Sequence, residues 1–466
     1  MKMQNNQYFE AKCVDLSHDG QGVVKVDGFT YFVKGMLVNE YGKLKVIKVL
    51  KNYGIARLIE VIEASQYRVV PKCPVFKACG GCQLQHLHID GQKVFKTNRV
   101  RETLRRIGEV DIDVAETLMM DNPWYYRNKS QLPVGVGKDG SLITGFYKKH
   151  SNDIIAQDEC FIQNCPSNLL VNKVREILSE YGITAYNNKD GKKGLLRHIL
   201  VKYGYYTKQL MLVLITNGNK LPNERKIIDR IVNCFPDITT IVQNINKKSN
   251  NVILGDEEKI LFGNGYIEDL LGDFKFRISS KSFYQINPIQ TEVLYQKVLE
   301  LADLKGKETV IDAYCGIGSI SLFLGKQAKR VYAVEINEQA ITDAKINAEI
   351  NNINNVDFFV DDAGEFMIKL SQESKNIDVV VVDPPRKGCS QDFLDALVLL
   401  NPSKVVYVSC DVSTQARDLK YLKERGYEAM ICQPVDMFPQ TTHVETVVLL
   451  SHKKIEEHVK LFYEPE

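Results

Sequence analysis

Apolar and polar positions follow three different rhythms along the chain. From residue 8 to 62, short β-rich pieces (YFEAKCVDL, GQGVVKV, FTYFVKG, KLKVIKVLK, IARLIEVIEAS) are separated by turns at HDGQG, VDG and YGK. Short strands parted by Gly and Asp turns predict a small OB-like β-barrel. Residues 92–107, QKVFKTNRVRETLRRI, place Val100, Leu104 and Ile107 on one helical face. Lys96, Arg99, Arg101, Arg105 and Arg106 fall elsewhere, and Gly108 supplies the stop. Residues 124–270 combine strand patterns (SLITGFY, HILVKYG, QLMLVLIT, TTIVQNIN, NVILG) with a helix near 168–181, which predicts an α+β region.

From about residue 290 the rhythm becomes alternation. The apolar runs VIDAYC, RVYAVEIN, VDFFVDD, IDVVVVDPP, VVYVSC, YEAMICQPVDM and VETVVLLS are separated by amphipathic segments such as 338–352 and 414–425. This predicts an α/β domain with a parallel, doubly wound sheet. In such sheets ligands bind beyond the carboxyl ends of the strands, so residues at those ends carry the candidate chemistry.

The first such end is VIDAYCGIGSISLFLG. Gly316 and Gly318 let the backbone come close to a ligand, but Ser321 stands where a dinucleotide fingerprint has its third glycine. Glu335 ends the next strand, placed to accept hydrogen bonds from ribose hydroxyls. A ligand with a ribose and no pyrophosphate fits this pattern, with S-adenosylmethionine as the leading candidate and NAD as the competitor. The fourth strand ends in Asp383-Pro384-Pro385, a rigid polar turn. Arg386 follows where amino-group methyltransferases carry an aromatic residue, which argues against an exocyclic amine as acceptor.

Cys410 ends the fifth strand in KVVYVSCDVSTQARDL, where Ser413 or Thr414 is expected to cap the helix that starts near Gln415. A buried core cysteine is the plain alternative. With Asp383 one strand away, Cys410 is instead placed for chemistry: its thiolate can add to C6 of uracil, turning C5 into a nucleophile for the methyl sulfonium. The C5 proton must then leave. Glu445 leads the last strand and is the preferred base, with His443 two residues before it.

Composition sharpens this picture in two ways. The net charge of +2 conceals an asymmetry, because residues 1–110 carry 18 Lys and Arg against 10 Asp and Glu, a net +8 that suits a polyanionic partner. Eleven cysteines in a chain with no apolar leader and no membrane-length apolar run predict a cytoplasmic protein without a disulfide framework. Cys73, Cys79 and Cys82 form C-x5-C-x2-C, one close pair rather than the two of a zinc ribbon, and suit an iron-sulfur cluster, with zinc as runner-up. Cys160 and Cys165 compete for the fourth position.

SFYQIN, DAYCGIG, DPPRKG, SCDVSTQARD and HVET, in this order, resemble the RNA uracil-5 methyltransferases, and in particular their bacterial 23S ribosomal RNA branch. The resemblance implies Cys410 as nucleophile and Glu445 as base, with Gln285, Tyr314, Glu335 and Asp383 lining the S-adenosylmethionine site beside Gly316 and Gly318. It also implies a [4Fe-4S] cluster on Cys73, Cys79, Cys82 and Cys160. The expected fold is then multidomain: a TRAM barrel (1–64), a central α+β domain with the cluster (70–92 and 125–270), and a class I, Rossmann-like methyltransferase domain (93–124 and 271–466). Arg127, Asn128, Lys129, Gln131, Arg197 and His198 are RNA-contact candidates around a turned-out base. The expected product is 5-methyluridine in 23S ribosomal RNA, made by a monomer. A transfer RNA T-loop methyltransferase and a noncatalytic iron-sulfur RNA-binding factor are the alternatives.

Overall fold

The computed structural model describes residues 3–149, 151–187 and 193–452. The first strands are β1 (Tyr8–Leu16), β2 (Gly22–Val26), β3 (Phe29–Lys34), β4 (Tyr41–Val49) and β5 (Tyr53–Glu63), closed into a barrel in the order β1-β2-β3-β5-β4. Alternation decides which side chains enter it: Leu44 and Val46 of β4 are buried while Lys43 and Lys48 face water. The ring of Tyr31 fills the barrel only because residue 54 is glycine, where a Cβ would sit 2.4 Å from that ring. Cys13 lies in this core among Val24, Val33 and Met36.

A helix α1 (Ile89–Thr103) follows, extended by one π-helical turn over Leu104–Gly108, and then a two-residue strand β6 (Asp113–Val114). The expected face of this helix is only half right. Val100 and Leu104 are buried, but Ile107 is 46% exposed and Lys96 is fully buried. The wide π turn sets back the residues after Leu104, which carries Ile107 off the apolar face. Glu109, with a left-handed φ of 49°, ends the segment.

The central sheet is built from β7 (Lys129–Val136), β8 (Leu142–Tyr147), β9 (Ile154–Ala156), β10 (Leu196–Tyr203), β11 (Leu210–Thr216), β12 (Ile238–Ile245) and β13 (Glu257–Phe262). Their order is β13-β12-β11-β10-β7-β8-β9. Helices α2 (Cys165–Glu180) and α3 (Glu224–Cys234) cover one face through Leu170, Val174, Ile177, Ile227 and Ile231. The other face packs Leu200, Met211 and Val213 onto a hairpin of β14 (Tyr266–Leu271) and β15 (Phe274–Ser279). NVILG, expected as a strand, is a loop. The strand comes next, at Glu257–Phe262, where Glu257, Glu258 and Lys259 mask it because it is an exposed edge.

The last sheet receives α4 (Pro288–Ala302), β16 (Thr309–Ala313), α5 (Ser319–Gly325), β17 (Arg330–Glu335), α6 (Glu338–Ile350), β18 (Val356–Val360) and α7 (Ala363–Gln372). It is completed by β19 (Val379–Val382), α8 (Gln391–Leu400), β20 (Lys404–Ser409), α9 (Val412–Lys423), β21 (Tyr427–Val435) and β22 (Glu445–His452). The strand order is β18-β17-β16-β19-β20-β22-β21-β6. The sheet is not parallel throughout: β22 runs antiparallel to both β20 and β21. All four residues of β19 are buried valines, as a strand covered on both faces requires. Residues 453–466 of the expected last domain, 1–2 of the first, and 150 and 188–192 of the central one lie outside the described residues.

Strand β6 pairs in parallel with β21, so residues that precede the central sheet in the chain extend the last one. Beside it, the ammonium of Lys96 is hydrogen-bonded to Asp436 Oδ1 with both side chains fully buried, and it donates to the Phe438 carbonyl at 3.3 Å. A buried charge that loses its partner is destabilising even where the pair itself adds little. Lys96→Met is therefore expected to lower unfolding free energy by about 3–5 kcal/mol in a urea titration near neutral pH.

Candidate active site

Three strand ends meet at the carboxyl edge of the last sheet. Ser409, the last residue of β20, pairs with Thr446 of the antiparallel β22. Cys410 and Glu445, one step beyond that pair, therefore stand across from one another. Val382 of β19 pairs with Tyr407, which sets Asp383 on the neighbouring end. Thr446 fastens the arrangement, its hydroxyl donating to the Ser409 carbonyl at 3.3 Å and to Gln415 Oε1 at 2.8 Å, while Gln415 Nε2 donates to the Tyr407 carbonyl at 3.0 Å. The helix after Cys410 begins earlier than its pattern predicts. Asp411 is the cap, accepting from the backbone N–H of Ser413 at 2.9 Å and of Thr414 at 3.4 Å.

Burial and like charge dominate the titration of this edge. The half-buried Cys410 thiol is pushed up to about 11 by burial, then by Glu445 and Asp383, against the opposing charge and hydrogen bond of Arg386. Glu445, 4% exposed, is pushed up to about 8 by burial and then Asp383, with Arg386 opposing. Burial raises Asp383 to about 6. A thiol, two carboxyls inclined to hold a proton, and one guanidinium form a site suited to covalent addition coupled to proton transfer. His443 packs its ring against Phe438 at 5.9 Å, and its basicity is pushed down by desolvation and then by Arg386, Arg99 and Lys96.

The approach to Glu445 is held by a network that no sequence motif announces. Gln290 Nε2 donates to the Asp436 carbonyl at 3.1 Å, Asn287 Nδ2 to that of Met437 at 3.1 Å, and the Tyr126 hydroxyl to that of Pro439 at 3.0 Å. Gln92 and Gln440 bond reciprocally, and the Gln83 and Leu84 N–H groups donate to the Gln440 carbonyl at 3.1 and 3.0 Å. Arg99 closes the series on the Thr442 carbonyl.

On the neighbouring strands, β16 runs into Tyr314, Gly316 and Gly318, all with left-handed φ. The Gly316 N–H donates to Glu335 Oε2 at 3.3 Å, and Glu335 Oε1 accepts from the Asn337 N–H at 2.9 Å. A Cβ at Gly316 would meet nothing within 4 Å, whereas one at Gly318 would stand 3.0 Å from Phe358. The first glycine therefore opens space and the second serves packing. Ser321 donates its hydroxyl to buried Asp312, whose other oxygen, Oδ1, has no partner among the described residues; burial pushes Asp312 up to about 7. That orphaned acceptor, the open face at Gly316 and the acidic strand end at Glu335 fit a ligand bearing a ribose and a cationic group.

Gln285 lies on a loop held from both sides. Lys202, buried and pushed down to about 7 by burial and then Lys129, donates to the carbonyls of Ser279 and Ser282 at 2.7 Å each. Ser282 donates to Asp343 at 2.8 Å, and Asn128 donates to the Gln285 carbonyl at 2.9 Å. Asn128 is thus committed to holding this loop. Arg197 is buried as well, donating to the carbonyls of Asn246 and Lys248 at 2.8 and 2.6 Å and stacking on Tyr186. Lys129 and Gln131, both half-buried, face the same side of the sheet as Lys202 and Leu200. Arg127 is half-buried, and His198 is pushed down to about 4 by burial and then Arg197.

Cys73, Cys79, Cys82 and Cys160 converge where the loop after the barrel meets the loop before α2. Cys82 is pushed up to about 12 by burial and then by Cys160, Cys79 and Cys73, opposed by a hydrogen bond from Gln85. Gly81 N–H points at Cys79 Sγ at 3.3 Å and Gln157 Nε2 at Cys73 Sγ at 3.5 Å. Cys165 is exposed at the start of α2. The expected ligand set is not formed, however: among the described residues, no three His, Cys, Asp or Glu side chains are close enough to hold a metal ion. The four thiols are electrostatic neighbours, with Cys79 turned toward an N–H of its own loop and Cys73 toward Gln157 of the facing one.

Comparison with known proteins gives a consistent result. Residues 236–453 match the family described as tRNA (Uracil-5-)-methyltransferase. A Bacillus cereus protein described as an uncharacterized RNA methyltransferase is 50% identical over 96% of this chain and 97% of its own length. A Listeria innocua protein of the same description is 50% identical over 97% of this chain and 99% of its own. The crystal structure of Pyrococcus abyssi tRNA (uracil-54, C5)-methyltransferase with S-adenosyl-L-homocysteine is similar with a TM-score of 0.75 at 28% identity, covering 95% of this chain and all of that one.

Glu445 links the site to stability. Its folded pKa lies above the usual carboxylate value, so its contribution is complete below about pH 4.5 and is lost as pH rises through about 8. The loss between pH 5 and 9 is expected to be on the order of 4 kcal/mol, and Glu445→Gln should flatten that part of the stability profile in urea unfolding.

Proposed function

We propose, from the premise that this chain belongs to the RNA uracil-5-methyltransferase family and draws its methyl group from S-adenosylmethionine, that it makes 5-methyluridine in 23S ribosomal RNA through a covalent adduct on Cys410. The observation that carries the mechanism is the placement of Cys410 and Glu445 across from one another beside Asp383.

The thiol of Cys410 releases its proton to solvent and its sulfur bonds to C6 of the uracil, sending the C5–C6 π electrons toward O4. C5 then takes the methyl from the sulfonium as the S–CH3 bond breaks, leaving S-adenosylhomocysteine. Glu445 removes the C5 proton, the C5–C6 double bond reforms, and the Cys410 thiolate departs. A carboxylate whose pKa is raised to about 8 is a stronger proton acceptor once ionised than an ordinary glutamate, which suits this step. Arg386 offsets the negative charge of Glu445 and Asp383 and so favours the thiolate form of Cys410. Gln285, Tyr314, Gly316, Gly318, Glu335 and Asp383 are proposed to line the cofactor site, supported by the orphaned Asp312 oxygen and the open face at Gly316.

The barrel is proposed to act as a TRAM-type RNA-binding module, supported by the basic first quarter of the chain. Cys73, Cys79, Cys82 and Cys160 are proposed as ligands of a structural [4Fe-4S] cluster. Their convergence and the exposed position of Cys165 favour this set, and their spacing in the structure counts against it. Elemental analysis of anaerobically purified protein decides the matter, since absence of iron removes the cluster. The second substrate reading is a transfer RNA T-loop uridine, favoured by the likeness to the Pyrococcus abyssi enzyme. Mass-spectrometric mapping of 5-methyluridine in RNA from cells with and without the gene separates the two.

Cys410→Ala is expected to abolish transfer of label from S-adenosylmethionine to RNA while RNA binding survives; continued turnover would overturn the mechanism. Glu445→Gln is expected to accumulate a protein–RNA adduct that resists denaturing electrophoresis, because elimination waits on the lost C5 proton. A Gln variant that turns over without such a band would remove Glu445 from the role of base.

A further inference from the structure

Three stretches distant in sequence bring lysines to one surface away from the strand ends. Lys34 ends β3 of the barrel, Lys77 lies on the cysteine-bearing loop, and Lys148 and Lys149 follow β8 of the central sheet. Lys34 Nζ donates to the Lys77 carbonyl at 3.3 Å. The cysteine loop and the end of β8 are stitched by a bridge between Cys79 and Lys148, by Gly80 N–H to the Tyr147 carbonyl at 3.2 Å, and by Lys149 N–H to the Ala78 carbonyl at 3.3 Å. A Cβ at Gly80 would stand 3.3 Å from the Tyr147 oxygen, so glycine permits this close approach. Beside the seam lies an open cavity of about 640 Å³ lined by Gly80, Gly81, Tyr147, Lys148 and Lys149.

Some surface lysines of the chain are paired. Lys93, Lys248, Lys259, Lys326 and Lys369 each sit against a carboxylate. Among the described residues, none of Lys34, Lys77, Lys148 and Lys149 has a carboxylate oxygen within 4.0 Å. Lys34 is pushed down by burial and then by the charge of Lys149, so the cations repel one another across the seam. Gathering like charges opposes folding unless counter-charge is supplied, and Asp19, the carboxylate that acts on Lys149, leaves most of it to a polyanion. Tyr147, 43% exposed, adds an aromatic face of the kind on which a base can stack.

A chain of charges links the patch to the strand ends. Asp19, on the barrel loop between β1 and β2, is within electrostatic reach of both Lys149 and Arg99, and Arg99 holds the Thr442 carbonyl on the approach to Glu445.

The geometry points to the surface of Lys34, Lys77, Lys148 and Lys149 as a binding site for the phosphate backbone of the RNA strand that flanks the reacting uridine. The inference rests on the reading of RNA as substrate and names a part of its path outside the crevice. The backbone passes over the β1–β2 loop and lies across the seam between barrel and cysteine loop, with its phosphates against the ammonium groups.

The test uses the full chain and single-stranded oligouridylate as probe, with affinity measured by fluorescence anisotropy over a series of KCl concentrations. The Lys34→Gln, Lys148→Gln, Lys149→Gln triple variant is expected to flatten the plot of log affinity against log salt by about 2, from roughly 0.7 per lost phosphate contact, and to weaken binding at 0.15 M salt roughly 40-fold. The matching Lys→Arg triple variant, which keeps the charge, should retain the wild-type slope. An unchanged slope in the Gln variant overturns the inference. Failure of the underlying functional reading appears separately, as absence of methyl incorporation into RNA by the wild-type protein.

Discussion

The chemistry of this protein depends on a register. Strand β22 enters between β20 and β21 in the antiparallel sense, and the pairing of Ser409 with Thr446 brings Glu445 across from Cys410. A slip of one residue would turn every side chain of β22 to the opposite face and carry the carboxyl away from the sulfur. Many of the other contacts described serve to prevent that slip. Gln415 and Thr446 pin the strand at its start. Ahead of it, side chains and backbone groups from α1, the cysteine loop, Tyr126 and α4 hold almost every residue from Asp436 to Thr442.

That rigidity has an electrostatic counterpart. Cys410, Glu445 and Asp383 share a largely dehydrated edge, and each carboxylate raises the energy of the thiolate next to it. Such a cluster resists ionising more than one member, so the sulfur rests as a thiol and its activation belongs to the assembled complex. A resting thiol is also a poor target for stray electrophiles. Arg386 works against this bias, and it stands in the position next to Asp383-Pro384-Pro385 where an aromatic ring would serve a different acceptor.

Much of the edge could be read in the sequence because strand ends in a parallel sheet follow a simple rule: the valines of β19 and β20 are buried on both faces, so the first polar residues after them, Asp383 and Cys410, emerge at the crevice. Other features have no local signature. The reversed direction of β22 depends on which gap in the sheet it enters, and an apolar strand pattern is the same in either direction. Lys96 reads as a solvent-facing cation until its partner, Asp436, is known. Asn128 and Arg197 look like nucleic-acid contacts from their residue types, yet their donors hold the carbonyls of Gln285, Asn246 and Lys248. The cap at Asp411 was hidden by Ser413 and Thr414, equally good capping residues two and three positions later. Charge on the edge strand Glu257–Phe262 concealed its β character.

The excursion of the chain between β6 and the strand it joins also shapes how the protein comes into being. Lys96 and Asp436 are 340 residues apart, and β6 completes a sheet whose neighbour, β21, is synthesised far later. At a translation rate of about 5–20 residues per second, α1 would wait roughly 17–70 s for its docking surface. During that interval the barrel and the central sheet can form from contiguous chain, while α1 cannot reach its final place. A helix that carries an ammonium group on its future buried face is less prone to stick to the wrong apolar surface in the meantime, so the same lysine that fastens the finished fold also guards the unfinished one.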